Sequence, residues 1–122
     1  MISVSYNQFQ DIINTCLKDL SKERADTLKN VAILIEDLPS EQQRKELKLR
    51  NDQTLFGLYE GVPLSMRQGI RKILPDKITL FKLPIESSVN NMRELEHQIR
   101  HTLWHEIAHY YGLDHEAISK LE

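Results

Sequence analysis

Cysteine is nearly absent: Cys16 stands alone in 122 residues. That excludes an internal disulfide and suits a reducing compartment. No excess of positive charge exists either, with 16 Lys and Arg against 18 Asp and Glu and a net charge of −2. A bulk basic field for nucleic acid is therefore missing. The densest charge run, residues 41–50, mixes Arg44, Lys45, Lys48 and Arg50 with Glu41 and Glu46. No apolar run approaches the ~18–20 residues of a membrane span. Residues 1–5 (Met-Ile-Ser-Val-Ser) have neither the basic nor the apolar region of a secretory leader. Repeats, low-complexity segments and interdomain linkers are lacking as well. These absences lead to the expectation of one cytoplasmic domain spanning residues 1–122, with no nucleic-acid or membrane partner. A chain of this length buries around two-thirds of its unfolded surface and needs no staples to fold.

What the sequence does contain is concentrated near its end. His105-Glu106-Ile107-Ala108-His109-Tyr110-Tyr111-Gly112-Leu113-Asp114-His115 reads H-E-x-x-H-x-x-G-x-x-H. An α-helix turns about 100° per residue, so His105 and His109 share a face. Two imidazoles so placed can direct a nitrogen at one spot, as a zinc ion with bonds of about 2.0–2.1 Å requires. Glu106 leaves the helix at a different angle and reaches toward a bound water. Gly112 takes positive φ without a Cβ clash, ends the helix and turns the chain so that His115 approaches. Three protein ligands with one open position describe a catalytic rather than a structural zinc site.

The eleven-residue pattern resembles the zinc-binding consensus of the metzincin metallopeptidases. Only seven residues follow His115 and none is Met, while Met66 and Met92 lie upstream, so the methionine turn of that group is missing. A wider likeness covers residues 7–116. Gly57-Leu58-Tyr59-Glu60-Gly61-Val62-Pro63-Leu64, Leu74-Pro75-Asp76-Lys77-Ile78-Thr79-Leu80 and the histidine stretch together resemble the small bacterial minimal-zincin family of zinc-dependent metallopeptidase-like proteins. In that family the third ligand is Asp or His, here His115. The resemblance implies an α+β fold, a cytoplasmic location and peptidase activity.

Read in order, the chain supports that fold class. Ser5 and Gln8 have capping-box spacing and predict a helix over 6–20, with Phe9, Ile12, Ile13, Cys16, Leu17 and Leu20 on one face. Cys16 in that face reads as a small core side chain. Ser21 is placed to cap a short helix to residue 29. The apolar, β-branched run at 31–35 predicts an interior strand. Ser40 opens a polar helical segment to about residue 47. Residues 54–59 form a second strand candidate, in which Gly57 marks a bulge or a close backbone approach. Residues 63–75 read as a loop. Residues 77–83 alternate most clearly, and Pro84 argues for an edge strand. Ser87 or Ser88 is placed to cap a last long helix, 89–111. The expectation is a small mixed sheet of three to four strands packed with helices, ending in a long helix that carries the site.

On that helix His97, His101, His105 and His109 form a slanted stripe, four residues apart. His97 lies more than about 10 Å from the ligand pair along the axis and His101 reads as an exposed polar residue. Leu95, Ile99, Leu103, Trp104, Ile107 and Ala108 supply the packing surface, with Trp104 as a core anchor. Tyr110 and Tyr111 bracket the helix end, packed or offering a hydroxyl near the metal. Asp114 is an alternative ligand or, like Glu116, an acceptor for a ligand N–H. The expected protein is a zinc-dependent metallopeptidase acting on a peptide or protein. Zn²⁺ sits on His105, His109 and His115, Glu106 is the general base, and the substrate strand adds to residues 77–83. Two other classes stand beside it. One is a non-catalytic zinc-binding interaction protein, with the ion ordering the tail. The other is a metal-dependent endoribonuclease, whose Gly-Tyr-Asp-His ending resembles Gly112-Leu113-Asp114-His115. Glu106 and the acidic net charge argue against the latter.

Overall fold

The computed structural model describes residues 1–20, 26, 28–61 and 76–112. Helix α1, Tyr6–Lys18, opens on the expected capping box. The Gln8 N–H donates to Ser5 Oγ at 3.1 Å and the Ser5 N–H donates to Gln8 Oε1 at 2.9 Å. Two backbone donors that the helix itself leaves unpaired are thereby satisfied. Phe9, Ile13 and Cys16 are buried. Burial pushes the Cys16 thiol up, as befits an inert core side chain. The helix expected over 21–29 lies mostly outside the described residues, and Leu28–Asn30 form a 3-10 turn.

Strand β1, Val31–Glu36, follows. Helix α2, Glu41–Glu46, repeats the capping box through Ser40 and Gln43 and buries no residue. Strands β2, Gly57–Glu60, and β3, Asp76–Phe81, complete a mixed three-stranded sheet among the described residues. Its order is β1-β3-β2, with β1 parallel and β2 antiparallel to β3. This is the small mixed sheet that the sequence predicts.

Two strand positions differ from expectation. The segment read as an edge, 77–83, supplies the central strand. Pairing on both sides uses its backbone, and Ile78, Thr79, Leu80 and Phe81 are all buried. Pro84 does not belong to the strand at all. Helix α3, Lys82–Ser87, starts directly after Phe81, so Pro84 falls in a first turn, where a missing N–H costs nothing. Conversely, β1 was expected inside the sheet and pairs with β3 alone among the described strands. Its apolar run buries one face: Ile33 and Ile35 pack on the core while Leu34 is 38% exposed.

Helix α3 carries a buried ion pair, Lys82 Nζ to Glu86 Oε2 at 2.9 Å. The same oxygen accepts the Val4 N–H at 2.8 Å, which docks the N-terminal residues on the helix. The long helix α4, Met92–Tyr110, begins later than the two serines suggest. Ser87 ends α3 and Ser88 caps its C-terminus, and Asn91 accepts the Glu94 N–H at 2.9 Å as the N-cap. Asn caps a helix as well as Ser does, and the Ser-Ser-Val-Asn-Asn run offers both. Gly112, at φ 77, follows the Tyr111 C-cap and ends the helix as expected. Leu95, Ile99, Leu103, Ile107 and Ala108 are buried on α4. Trp104 is only half-buried and stands outside the core cluster, so it is not the anchor expected. It lies about 100° around the helix from Leu103, at the flank of the packed row. Among the described residues no helix is long and apolar enough to cross a membrane.

The contact of β2 with α4 decides where the site sits, and Gly57 permits it. A Cβ at Gly57 would lie 2.7 Å from Thr102 Cγ2, 3.2 Å from Glu106 Cγ and 3.3 Å from Leu80 Cδ2. Gly57→Ala is expected to cost about 1–3 kcal/mol of stability by overpacking. Adding Thr102→Ser, which removes the nearest methyl, is expected to recover part of that loss. Urea unfolding of the two single variants and the double variant checks this. Equal losses for Gly57→Ala with and without Thr102→Ser would contradict the close approach.

Candidate active site

The C-terminal half of α4 presents His105, Glu106 and His109. The helical offset of four residues puts the two imidazoles side by side, with ring centroids 4.6 Å apart. Both rings are half-buried, while Glu106 is 6% exposed. One donor atom from each of the three lies within 4.8 Å of the other two. His101, His97 and the apolar row run back along the same helix, and only these three converge in this way among the described residues.

A buried carboxylate needs partners, and Glu106 has them from two elements. Its Oε1 accepts the backbone N–H of Tyr59, on β2, at 2.9 Å. It also lies 3.2 Å from Nδ1 of His109, close enough to accept a proton shared along that line when Nδ1 carries one. Tyr59 is fixed in turn. Its hydroxyl donates to Asp76 Oδ2 at 2.7 Å, and its ring meets Tyr110 edge-on with centroids 5.9 Å apart. The carboxylate is therefore anchored to the sheet through a chain that runs from Glu106 to Tyr59 to Asp76 of the central strand.

The donor set fits a zinc ion. Imidazole nitrogen suits it, and His105 and His109 would supply two such ligands with the Glu106 carboxylate beside them. The ligand atoms of the three residues already lie within 4.8 Å of one another, so an ion held by the two imidazoles would lie next to the Glu106 carboxylate. His105, Glu106 and His109 are thus brought together as the sequence anticipates, while His115, Asp114 and Glu116 lie outside the described residues. His101 is exposed, its ring stacked on that of His105 with centroids 6.4 Å apart, and His97 is exposed one turn further back. Tyr110 is buried in the core cluster and Tyr111 is half-buried, which favours packing as the role of the first.

Sequence reasoning missed Tyr59. Its contribution is a backbone N–H, which no side-chain pattern encodes. The available signal was indirect: Gly57, two residues earlier, marks a close approach but not its partner. In Glu106→Ala the Tyr59 amide loses its acceptor. Its proton resonance is expected to move more than that of any other β2 amide in a ¹H–¹⁵N correlation spectrum. An unmoved Tyr59 amide would mean that Glu106 points elsewhere in solution.

Comparison with known families agrees with this geometry. Residues 28–122 match the family model described as zincin-like metallopeptidase. No curated protein gave a match to the chain. The matched region takes in the whole sheet and α4 with its His105, Glu106 and His109, and on that ground this chain belongs to the zincin-like metallopeptidase family.

Proposed function

We propose that this chain is a zinc-dependent metallopeptidase that hydrolyses peptide bonds in a peptide or protein substrate. One observation carries the reading: Glu106 is buried, fixed by the Tyr59 N–H and set against His109, one of two helical imidazoles that converge with it. His105, His109 and His115 would hold the ion. Zinc so held would supply a Lewis acid and make the attacking water easier to deprotonate.

The chain's own residues account for the proton and for the alignment. Glu106 takes a proton from the attacking water and returns it to the leaving amine nitrogen as the amide C–N bond breaks. The Tyr59 N–H holds one carboxylate oxygen, so the second is oriented without a search among rotamers. An acid–base group fixed in this way loses little entropy on reaching the reactive arrangement. Strand β2 borders the site, and an extended peptide laid beside it would run past Glu106. This replaces residues 77–83 as the docking strand, since they form the centre of the sheet.

The family match and the sheltered carboxylate support this reading over a purely structural ion and over an endoribonuclease. A cytoplasmic setting is part of the proposal and rests on the single cysteine. Glu106→Gln keeps the shape of the side chain and removes its basicity. The variant is expected to retain zinc at the wild-type level and to lose peptide hydrolysis by at least about 100-fold, measured with a peptide library and mass spectrometry. Retained hydrolysis would remove Glu106 from its role as the base.

A further inference from the structure

A cavity of about 340 Å³ opens beside His105 and Glu106 on the side toward the start of α4. Among the described residues its other walls are Phe56, Gly57, Gln98, His101 and Thr102. The volume sits near the lower limit of about 300 Å³ for ligand pockets, which suits one side chain rather than a folded segment. The cavity shares two walls with the candidate site, so an extended substrate spanning that site places a neighbouring side chain at its mouth.

The walls divide by chemistry. Phe56 supplies a ring and Gly57 bare backbone. The position of Phe56 is fixed because its carbonyl accepts the Phe81 N–H at 2.9 Å. Thr102 serves both sides. Its methyl faces Gly57, 2.7 Å from where a Cβ would stand, and its hydroxyl accepts from Gln98 Nε2 at 3.0 Å. That bond holds the Gln98 amide, which has a carbonyl acceptor besides. His101, exposed one turn before His105, adds an imidazole that can donate or accept. One flank is therefore aromatic and apolar, and the other is polar. Among the described residues the carboxylate of Glu106 is the one acidic group in the walls.

We infer that this cavity is a substrate side-chain subsite that selects a neutral aromatic residue with a polar tip, tyrosine being the best fit. The inference rests on the peptidase reading above. The ring lies on Phe56 and Gly57 in an offset or edge-on contact. The phenolic hydroxyl hydrogen-bonds at the Gln98–His101 flank. Asp and Glu are disfavoured because Glu106 would face a second carboxylate across a small cavity. Gln98 and His101 act as specificity residues and touch no reacting atom.

The test uses peptide pools randomised at one position on either side of a cleaved bond, with mass-spectrometric readout. Wild-type protein is compared with Gln98→Leu and His101→Ala, each checked for native helix content by circular dichroism. At one position the wild type is expected to favour Tyr over Phe, and to favour either over Asp. In the variants the Tyr-to-Phe ratio is expected to fall roughly five- to tenfold, the size set by one neutral hydrogen bond. Because it is a ratio within each variant, a general loss of activity does not mimic the effect. An unchanged ratio in both variants, or a wild-type preference for Asp, overturns the subsite. The same peptides, fluorescently labelled, are titrated into Glu106→Gln alone and combined with Gln98→Leu. Tyr-selective binding that Gln98→Leu abolishes, in a protein that cleaves nothing as wild type, would sustain the subsite and overturn the peptidase reading. Absence of both cleavage and selective binding overturns the subsite.

Discussion

The bond from the Tyr59 N–H to Glu106 Oε1 joins the sheet to the helix beside His105 and His109. Everything around it serves to bring one backbone donor of β2 within reach of one side chain of α4. Gly57 removes the Cβ that would hold strand and helix apart. The Tyr59 hydroxyl ties the strand to Asp76, at the start of the central strand. The row Leu95, Ile99, Leu103 and Ile107 presses α4 onto Ile78 and Leu80. A carboxylate taken out of water costs free energy unless it is hydrogen-bonded. Here the hydrogen bond that offsets this cost also sets its direction.

The rest of the fold secures the helix that carries the histidines. Helix α1 packs against α4 with Phe9, Ile13 and Cys16 in the common core. Helix α3 and the N-terminal residues close the other end through the Lys82–Glu86 pair and the Val4 N–H. Such a pair contributes little net stability against an apolar replacement, yet breaking one partner is costly. It fixes how the first residues meet α3 more than how firmly the domain folds.

Much of this arrangement was legible in the sequence. The helical offset of His105 and His109, the capping box of Ser5 and Gln8, and the terminating role of Gly112 depend on local backbone geometry, which neighbouring residues encode. Gly57 was readable as a close approach for the same reason. What local pattern does not encode is which strand neighbours which. In residues 77–83 Lys77 is exposed near the start of the strand, and Pro84, on which the edge reading rests, resembles a strand stop. Both features arise from a central strand that runs directly into a helix. The apolar run of β1 resembled an interior strand although it pairs on one side only among the described strands, since burial of a face and pairing of an edge are separate matters. Tyr59 was invisible as a site residue because its N–H is common to all residues but proline. Trp104 misled through its size, which favours burial on average but does not set its angle around the helix.

In the proposed site His105 and His109, with His115, hold one zinc ion beside Glu106. Elemental analysis of tag-free protein, for wild type and for His115→Ala, tests it most directly. About one zinc per chain in the wild type, with a clear loss in His115→Ala, is the predicted result. A wild type that takes up no zinc even when the metal is supplied, or a His115→Ala variant that keeps its full complement, would contradict it.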